Sequence, residues 1–503
     1  MAKMSEYYGD PPSIPSSLWA MFDACAEKNM DSIALTVMHQ PANHLSHLRP
    51  SSSNMSSGVK CLQWTFADLR HAAISVARVF HKKGAERGST IVTLIPNGVE
   101  CVLLFWVAVA LQLTLAPLDP RLLDVGREQQ LRDYMERLQP AIVVVPGGDG
   151  AGAVDQALES ANVEHGPRVS LAMLESNRWH WLADLVPSGV DDAEIDDALL
   201  TQDAALEANG SRVGIILFTS GTSSGQPKGC PRSVRNLLAG AVAEFAMPDV
   251  PHRLIVHTPN SGAIAQAFIV MSGHTGRHII IPAATFSPSA AVGAIEQFKA
   301  ELLVAIPVMS RVFEKELAGR ELDVSALRMV AIGGDMATVD AKQKFEELFP
   351  HSRCIVGHGM SEGHSLLGWR TQGVPSPYPE YHNILGIGHP QPGSLVRICD
   401  EEGQVVPRGE AGELNFGGPL VIEGYLEDAQ SEAFFQDEKG HWMNTGDRAV
   451  MDEKGVIFIV GRTKDIIKKV GLALSPAVAE SVVNSIEGVE VSEQGRNSLS
   501  VVY

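Results

Sequence analysis

The sequence has few of the features that mark secreted, metal-binding or nucleic-acid-binding proteins. Its six cysteines are scattered, without a Cys-x-x-Cys pair or a histidine-rich ligand spacing, which argues against a disulfide framework and a zinc site. The 40 lysines and arginines are outnumbered by 59 aspartates and glutamates, and a net charge of −19 argues against a nucleic-acid surface. No apolar segment near the first residue resembles a secretion signal, so we predict a cytoplasmic protein with free thiols.

Long hydrophobic runs are also missing. Residues 101–118 form the one stretch that approaches the roughly 20 apolar residues of a membrane helix, but Gln112 and Thr114 interrupt it and Pro117 ends it. We interpret it as a buried helix that leads into a strand, and we predict no integral membrane segment. The composition, with 45% hydrophobic and 20% charged residues over 503 positions, is typical of a globular enzyme with one large and one smaller domain.

The order of apolar runs predicts an α/β fold. From about residue 210, short runs at 254–256, 278–281, 302–306, 329–332 and 354–356 end in glycine, proline or polar residues and alternate with longer segments. This alternation is typical of mostly parallel sheets flanked by helices, whose ligands bind beyond the carboxyl ends of the strands. After residue 385, short strands separated by glycines predict a small β-rich subdomain.

Two local predictions concern the N-terminal part. Residues 65–84 have apolar side chains at steps of three and four, which predicts an amphipathic helix that Thr65 caps and Gly84 ends. Residues 43–58 are rich in serine, asparagine and histidine without periodicity, which predicts an exposed loop.

The most informative segment is FTSGTSSGQPKG at residues 218–229, directly after the apolar run 213–217. Its glycines allow backbone N–H groups to surround an anion, its hydroxyl groups add donors, and Lys228 adds a positive charge. These residue types predict a polyphosphate-binding loop at the end of a strand. A P-loop requires four residues between its first glycine and a Gly-Lys pair, whereas three residues separate Gly221 from Gly225 here. A flexible glycine-serine surface loop stays open as the alternative from composition alone.

This order of residues resembles the phosphate-binding loop of the acyl-adenylate-forming superfamily, which includes acyl-CoA synthetases, 4-coumarate:CoA ligases, luciferases and peptide-synthetase adenylation domains. The family pattern is Thr-Ser-Gly-Thr-Thr-Gly-x-Pro-Lys-Gly, and the present loop has one residue more. The resemblance implies that Thr219 and Lys228 are catalytic. It also implies that ATP is bound by the residues between them, namely Ser220, Gly221, Thr222, Ser223, Ser224 and Gly225.

Three further motifs follow in the family's order, although each is also a common turn by itself. Residues 358–362, HGMSE, resemble Tyr-Gly-x-Thr-Glu, which implies that Glu362 is catalytic and ligates Mg²⁺ and that His358 replaces the aromatic residue beside adenine. Residues 333–335 resemble the adenine-side loop, and residues 445–447 resemble the Thr-Gly-Asp whose carboxylate binds the ribose hydroxyls. The implied nucleotide contacts are Gly333, Gly334, Asp335, His358, Gly359, Met360, Ser361 and Asp447.

A longer match begins at residue 461. The sequence GRTKDIIKKVG, followed by a proline and a glutamate, resembles the family's Gly-Arg-x-Lys-Asp-x-Ile-Lys-x-x-Gly-x-x-x-x-Pro-x-x-x-Glu. The resemblance implies that Arg462 contacts ribose or phosphate and that Lys464 is the catalytic hinge residue. It further implies that Lys468 lies near the AMP phosphate and that Gly471 lies where the pantetheine arm of CoA enters. A solvated basic turn would not explain the whole spacing.

Two departures from the family pattern stand out. The Pro-x-x-His-x-x-Gly element of the acyl site corresponds to residues 257–262, where Pro259 replaces the histidine. Only 23 residues follow Glu480, and the family's Pro-Lys-Thr-x-x-Gly-Lys element is absent. We therefore expect a large AMP-binding domain over 1–460, with its β-rich subdomain at about 385–460, and a hinge with a truncated C-terminal lid over 461–503.

The resemblance implies that the protein activates a small carboxylic acid with ATP and Mg²⁺ and transfers the acyl group to CoA; a specialised metabolite pathway is one setting for this activity. Two alternatives stay open. One is a non-catalytic nucleotide-binding relic or regulator, and the other is an enzyme that loads a carrier-protein thiol or oxidises the adenylate as luciferases do. The sequence does not identify the acid, although residues 259–266, 333–336 and 356–360 are predicted to shape its pocket.

Overall fold

The computed structural model describes residues 3–10, 13–15, 17–50, 59–163, 166–186, 210–219, 227–243, 251–369, 373–428, 431–464, 467–469, 472–474, 491–495 and 498–502. Its α-helices are α1 (Leu18–Lys28), α2 (Phe66–Lys82), α3 (Val99–Ala110), α4 (Glu128–Leu138), α5 (Gly148–Ser160), α6 (Leu182–Leu185), α7 (Val234–Ala243), α8 (Ala263–Thr275), α9 (Pro288–Phe298), α10 (Met309–Leu317) and α11 (Val339–Leu348). Short 3₁₀ helices cover Ser46–Leu48 and Pro120–Leu123.

The strands up to residue 186 are β1 (Glu6–Tyr8), β2 (Ile33–Pro41), β3 (Cys61–Thr65), β4 (Thr90–Thr93), β5 (Thr114–Pro117), β6 (Ile142–Val145), β7 (Arg168–Ser170) and β8 (Trp179–Trp181). Those between 210 and 369 are β9 (Val213–Phe218), β10 (Gly229–Ser233), β11 (Arg253–Ile255), β12 (His278–Ile281), β13 (Leu302–Ala305), β14 (Met329–Ile332), β15 (Arg353–Val356), β16 (His358–Met360) and β17 (Gly363–Gly368).

The later strands are β18 (Glu380–Tyr381), β19 (Ile384–Leu385), β20 (His389–Pro390), β21 (Leu395–Cys399), β22 (Ala411–Gly417), β23 (Phe434–Asp437), β24 (Gly440–Met451) and β25 (Ile457–Arg462). Two antiparallel pairs follow, β26 (Ile467–Lys469) with β27 (Leu472–Leu474) and β28 (Val491–Gly495) with β29 (Ser498–Val502).

Two seven-stranded sheets form the centre of the fold. The first has the order β10-β9-β5-β4-β6-β7-β8 and is parallel except at the β9–β10 pair. The second has the order β15-β14-β13-β11-β12-β2-β3 and is parallel except at the β2–β3 pair. A third sheet of β1, β21, β22, β23, β24 and β25 is antiparallel. The predicted α/β fold with mostly parallel sheets and helices is confirmed.

Helices fill the space between the two large sheets. All twelve residues of α3 are buried, as expected for a helix that is apolar around its whole circumference. Trp106 on α3 stacks on Phe22 of α1, with ring centres 4.0 Å apart. One hydrophobic cluster contains side chains from both sheets and from α1, α2, α3, α7 and α8. The stretch that resembled a membrane span is therefore an internal helix followed by the buried strand β5.

The amphipathic helix predicted at 65–84 is present as α2. Thr65 is its N-cap, and its hydroxyl accepts a hydrogen bond from the backbone N–H of Asp68, whose carboxylate accepts one from the N–H of Thr65. The helix ends at Lys82, and Gly84, two residues later, has a φ of +91° that favours glycine.

The exposed loop predicted at 43–58 is only partly correct for residues 43–50, where Asn43 and Ser46 are exposed, and residues 51–58 lie outside the described residues. Leu45 and Leu48 are buried. Two side-chain contacts explain why this polar segment packs partly inward: His44 bonds to Glu100 at 2.6 Å, and Arg49 bonds to Asp68 at 3.0 Å. The segment has no periodicity because these contacts are made to residues distant along the chain.

We expect Glu100→Gln to lower the stability of the protein at neutral pH. Burial alone would raise the pKa of Glu100, but hydrogen bonds from His44 and Gln40 and the charge of His44 hold that pKa below its usual range. A carboxylate with a lowered folded-state pKa contributes stability above its unfolded-state pKa, and the contribution is lost as the pH falls through the folded-state pKa. Loss of these charge-assisted bonds should cost about 1–3 kcal/mol.

Thermal unfolding followed from neutral to acid pH checks this expectation. The difference in Tm between Glu100→Gln and the parent should be largest near neutrality. It should shrink as the pH falls below the unfolded-state glutamate pKa of about 4.3 and then through the lower folded-state pKa of Glu100. Glu86→Gln, which removes an exposed carboxylate near the end of α2, is the matched control. Equal Tm values for parent and Glu100→Gln at neutral pH would contradict the argument.

Candidate active site

The ends of the predicted phosphate-binding loop meet at the edge of the first sheet. Phe218 and Gly229 are paired across β9 and β10. Beyond this pair, the backbone N–H of Thr219 donates to the carbonyl of Lys228 at 3.0 Å, and the N–H of Lys228 donates to the Thr219 hydroxyl at 3.0 Å. The loop therefore starts and ends at one point, at the carboxyl end of β9. The residues within it, Ser220, Gly221, Thr222, Ser223, Ser224 and Gly225, lie outside the described residues.

A tyrosine connects Lys228 with Glu362. The ammonium Nζ of Lys228 lies 4.5 Å from the ring centre of Tyr425, a cation–π distance. The hydroxyl of Tyr425 donates a 2.8 Å hydrogen bond to Oε1 of Glu362, and both side chains are buried. Burial, together with the Glu362 charge and this hydrogen bond, raises the pKa of Tyr425 well above its usual range. The phenol is therefore protonated at neutral pH and acts as the donor.

The buried side chain of Arg232 fixes the segment that carries Glu362. Arg232 lies on β10 and is 2% exposed. Its Nε donates to the carbonyl of Ser361 at 3.0 Å, and its Nη2 donates to the carbonyl of Met360. The strand that leaves the phosphate-binding loop thus holds the 358–362 segment through the backbone of that segment. This contact places both predicted motifs in one region of the molecule.

Asp447, Arg462 and His358 form a second group. Asp447 and Arg462 are register partners on β24 and β25, and Arg462 Nε lies 3.1 Å from Asp447 Oδ1. The other oxygen, Oδ2, lies 3.8 Å from His358 Nε2. Asp447 is 6% exposed, and its backbone N–H donates to the Thr445 hydroxyl at 2.9 Å. The carboxylate is thus held in a fixed position between a guanidinium and an imidazole.

His358 stands where the family pattern has an aromatic ring, and its imidazole is positioned by packing. The ring stacks on Phe416, with centres 5.6 Å apart and planes inclined by 26°. Its Nδ1 is buried and has no hydrogen-bond partner among the described residues. Buried polar atoms are normally paired, so an unpaired ring nitrogen at a cavity wall is suited to a bond from a ligand.

A cavity of about 210 Å³ opens beside these groups. It runs between α8 and the second sheet, and its wall includes the predicted positions Gly333, Gly334, His358, Gly359 and Met360. The remaining lining is Arg232, Ala263, Ile264, Ala267, Phe268, Met271, Leu302, Val304, Met329, Ala331, Ile332, Ile355, Val356, Gly357, Gly363, Leu367, Gly368, Trp369 and Gln391. Apart from the mouth near His358, this lining is almost entirely apolar.

The other predicted residues are less closely tied to this cavity. Asp335 is exposed and accepts a hydrogen bond from the N–H of Met336, so it caps a turn instead of lining the wall. Lys464 is exposed, two residues after β25. The backbone of Lys468 lies on β26, and Gly471 lies outside the described residues.

Sequence reasoning missed three contributors to this region: Tyr425, Arg232 and Gln391. Tyr425 is 63 residues from its partner Glu362, and no local pattern joins the two. Arg232 had a signal, because a charged residue in a short strand directly after the loop is unusual. Gln391 is 4% exposed, and its Oε1 has no hydrogen-bond partner among the described residues.

Few other candidate sites occur in the part of the chain that the structure describes. No group of three or more histidine, cysteine, aspartate or glutamate side chains is arranged to hold a metal ion there. No helix within the described ranges is long and apolar enough to cross a membrane. All six cysteines are free thiols.

Comparison with known proteins gives one family. The AMP-binding enzyme family matches residues 48–426. An acyl-CoA ligase of Pestalotiopsis microspora is 29% identical over 495 residues, which cover 95% of this chain and 83% of that protein. A 4-coumarate–CoA ligase of Humulus lupulus is 25% identical over 432 residues, 84% of this chain and 74% of that one. The amide bond synthetase of Marinactinospora thermotolerans has a similar fold, with a TM-score of 0.74 at 21% identity over 96% of this chain and 88% of its own.

Proposed function

The chain belongs to the AMP-binding enzyme family, and from this premise we propose that it activates a carboxylic acid as an acyl adenylate with ATP and then transfers the acyl group to the thiol of CoA. The named CoA ligases among its relatives support the second step. The first step is supported by the geometry around the cavity, which does not depend on those names.

The observation that carries the proposal is that two groups of charged side chains lie beside one cavity, with His358 and Arg232 in its wall. Lys228, Tyr425 and Glu362 are in contact at the end of the phosphate-binding loop. His358 and Asp447 lie together near the cavity mouth, and Arg232 ties the two groups through the 360–361 backbone. An enzyme that cleaves a triphosphate beside a bound acid needs cationic, metal-binding and ribose-binding groups close to one another.

The residues present fit a nucleotide with Mg²⁺. Magnesium sites for nucleotides usually combine one or two carboxylates with phosphate oxygens and water, so a single buried carboxylate such as Glu362 suffices. The unpaired Nδ1 of His358 offers a bond at the base side, and the fixed carboxylate of Asp447 can accept bonds from a vicinal diol. When bound, Mg²⁺ supplies positive charge that offsets the charge of the phosphate oxygens.

In the proposed reaction, an oxygen of the substrate carboxylate attacks the α-phosphorus of ATP, and the bond to the pyrophosphate oxygen breaks. Lys228 then stabilises the charge on the departing pyrophosphate, and Glu362 is held by Tyr425 in the orientation that a metal ligand needs. In the second step the sulfur of CoA attacks the acyl carbonyl and AMP leaves. Asp447 and Arg462 keep the ribose in place during both steps.

Exchange of labelled pyrophosphate into ATP, measured with aryl, short-chain and long-chain acids, tests the proposal. Exchange that depends on one class of acid, followed by acyl-CoA formation when CoA is added, is the expected result. ATP binding without exchange would identify a nucleotide-binding protein that does not catalyse adenylation. Exchange with transfer only to a phosphopantetheinylated carrier protein would identify a different thiol acceptor.

Tyr425→Phe should reduce exchange about tenfold, as expected when one hydrogen bond to a charged group is removed. The change removes the hydroxyl that bonds Glu362 but keeps the ring beneath Lys228. Since Glu362 is the group affected, we expect a higher magnesium requirement and little change in the KM for ATP at saturating Mg²⁺. Tyr425→Leu, which removes the ring as well, should raise the KM for ATP in addition. Equal effects of both variants on magnesium dependence and on KM would show that Tyr425 has only a packing role.

A further inference from the structure

We infer that the acid is an unbranched aliphatic carboxylate of about eight to ten carbons without a polar group at its far end, a substrate class that rests on the proposed function. The depth and width of the cavity, the apolar side chains at its far end and the position of its polar residues all favour such a chain.

Two independent elements give the same depth. On α8, Ala263 and Met271 both line the cavity and are eight residues apart, which corresponds to about 12 Å at about 1.5 Å per residue. On the sheet, the wall extends from Gly333 back to Met329, four residues of β14 and its end, or about 13 Å at about 3.3 Å per residue. An extended alkyl chain advances about 1.3 Å per carbon, since bonds of about 1.5 Å meet at tetrahedral angles. The depth therefore accommodates about eight to ten carbons.

Three alanines line the cavity between larger apolar side chains. Ala263 and Ala267 lie one turn apart on α8, and Ala331 lies on β14. The larger side chains of the wall include Ile264, Phe268 and Trp369. Because α8 connects the parallel strands β11 and β12, it runs opposite to them, and its first turn lies at the mouth. Small residues at these positions leave a narrow channel that fits an alkyl chain.

Larger side chains close the far end. Met271 on the third turn of α8 lies at the same depth as Leu302 and Met329, which begin β13 and β14 and are register partners. These three residues limit the length of the chain. Thioether side chains are flexible, so the two methionines can adjust to chains that differ by a carbon or two.

Among the described residues, no polar side chain lines the deep part of the cavity. The polar residues of the lining are Arg232, His358 and Gln391. Arg232 and His358 belong to the nucleotide-side group described above. Gln391 lies at the same end, because its backbone N–H donates to the carbonyl of Leu366, which precedes Leu367, the register partner of His358. A phenol or a second carboxylate at the closed end would be left without a partner, which is unfavourable for a neutral group and more so for a charged one. Hydroxycinnamates and dicarboxylates are therefore rejected, although some relatives are named as 4-coumarate–CoA ligases.

Pyrophosphate exchange with hexanoate, decanoate, tetradecanoate, 4-coumarate and decanedioate tests this substrate class on the full chain. Decanoate should exceed 4-coumarate and decanedioate in kcat/KM by at least about tenfold, the usual range for a mismatched pocket. Ala267→Phe, which fills the channel halfway, should shift the preference towards hexanoate. Met271→Ala should shift it towards tetradecanoate, and Met173→Ala, a change of the same size at an exposed methionine, should shift nothing.

Calorimetric titration with decanoate alone separates failure of this inference from failure of the proposed function. If exchange occurs but 4-coumarate or decanedioate is preferred, the substrate class is wrong and the proposed function stands. If no acid supports exchange, yet decanoate binds the parent and binds Ala267→Phe at least tenfold more weakly, the proposed function is wrong and the substrate class stands. An unchanged chain-length profile in an Ala267→Phe variant of normal Tm would overturn the assignment of the channel.

Discussion

Glu362→Gln is expected to lower the rate of pyrophosphate exchange by about 10² to 10³, the usual cost of losing one group that stabilises developing charge in a reaction. Glutamine has the same shape and can still accept the hydrogen bond from Tyr425, so the fold should be retained. What it lacks is the negative charge by which a carboxylate binds Mg²⁺ more tightly than a neutral amide oxygen does. The effect should therefore appear in kcat and in the magnesium requirement more than in the binding of free ATP.

Exchange rates over a series of Mg²⁺ concentrations, with Tm as a test of folding, check this expectation. Glu423→Gln is the matched control, because Glu423 is an exposed carboxylate two residues before Tyr425. It carries the same charge change at an exposed position, whereas Glu362 is buried. A Glu362→Gln enzyme that keeps more than about a tenth of the parent rate would contradict a role of this carboxylate in charge stabilisation.

Much of the fold could be predicted because its elements have strong local patterns. The parallel strands β11 to β15 are short apolar runs, and α2 has both helical periodicity and a capping box at Thr65. The order of strands in the sheets could not be predicted in the same way. β11 lies between β12 and β13, and β2 from the N-terminal region pairs with β12. These pairings depend on packing between segments that are far apart in the sequence.

The candidate site likewise has residues that could be predicted from local motifs and residues that could not. Glu362 and Asp447 could be proposed from short motifs. In the structure, His358 lies next to Asp447. Lys228 lies next to Tyr425, whose hydroxyl bonds Glu362. Ala267 and Ala331 could not be recognised as cavity residues, because alanine in a helix or a strand is equally typical of a tight core. Cavities depend on which residues face each other, and a single sequence does not contain that information.

Asp447→Asn is expected to raise the KM for ATP about 10- to 100-fold with a smaller effect on kcat, since hydrogen bonds to a charged group contribute about 1.5–3 kcal/mol. Asparagine keeps one oxygen towards Arg462, so the β24–β25 pair should be preserved. The exposed Arg462 side chain contributes little by itself, because ion pairs at the surface are weak. The loss should therefore come from the bonds between the Asp447 carboxylate and the ribose hydroxyls.

The binding of deoxynucleotides tests whether the effect of Asp447→Asn comes from the ribose hydroxyls. The parent should bind 2′-deoxy-ATP and 3′-deoxy-ATP more weakly than ATP, whereas Asp447→Asn should discriminate much less among the three, because the partner of those hydroxyls is already weakened. Glu453→Gln, at the exposed turn between β24 and β25, should behave like the parent with all three nucleotides. If Asp447→Asn weakens all three nucleotides by the same factor and keeps the parental discrimination, the carboxylate acts through Arg462 or His358, and the ribose is held by other residues.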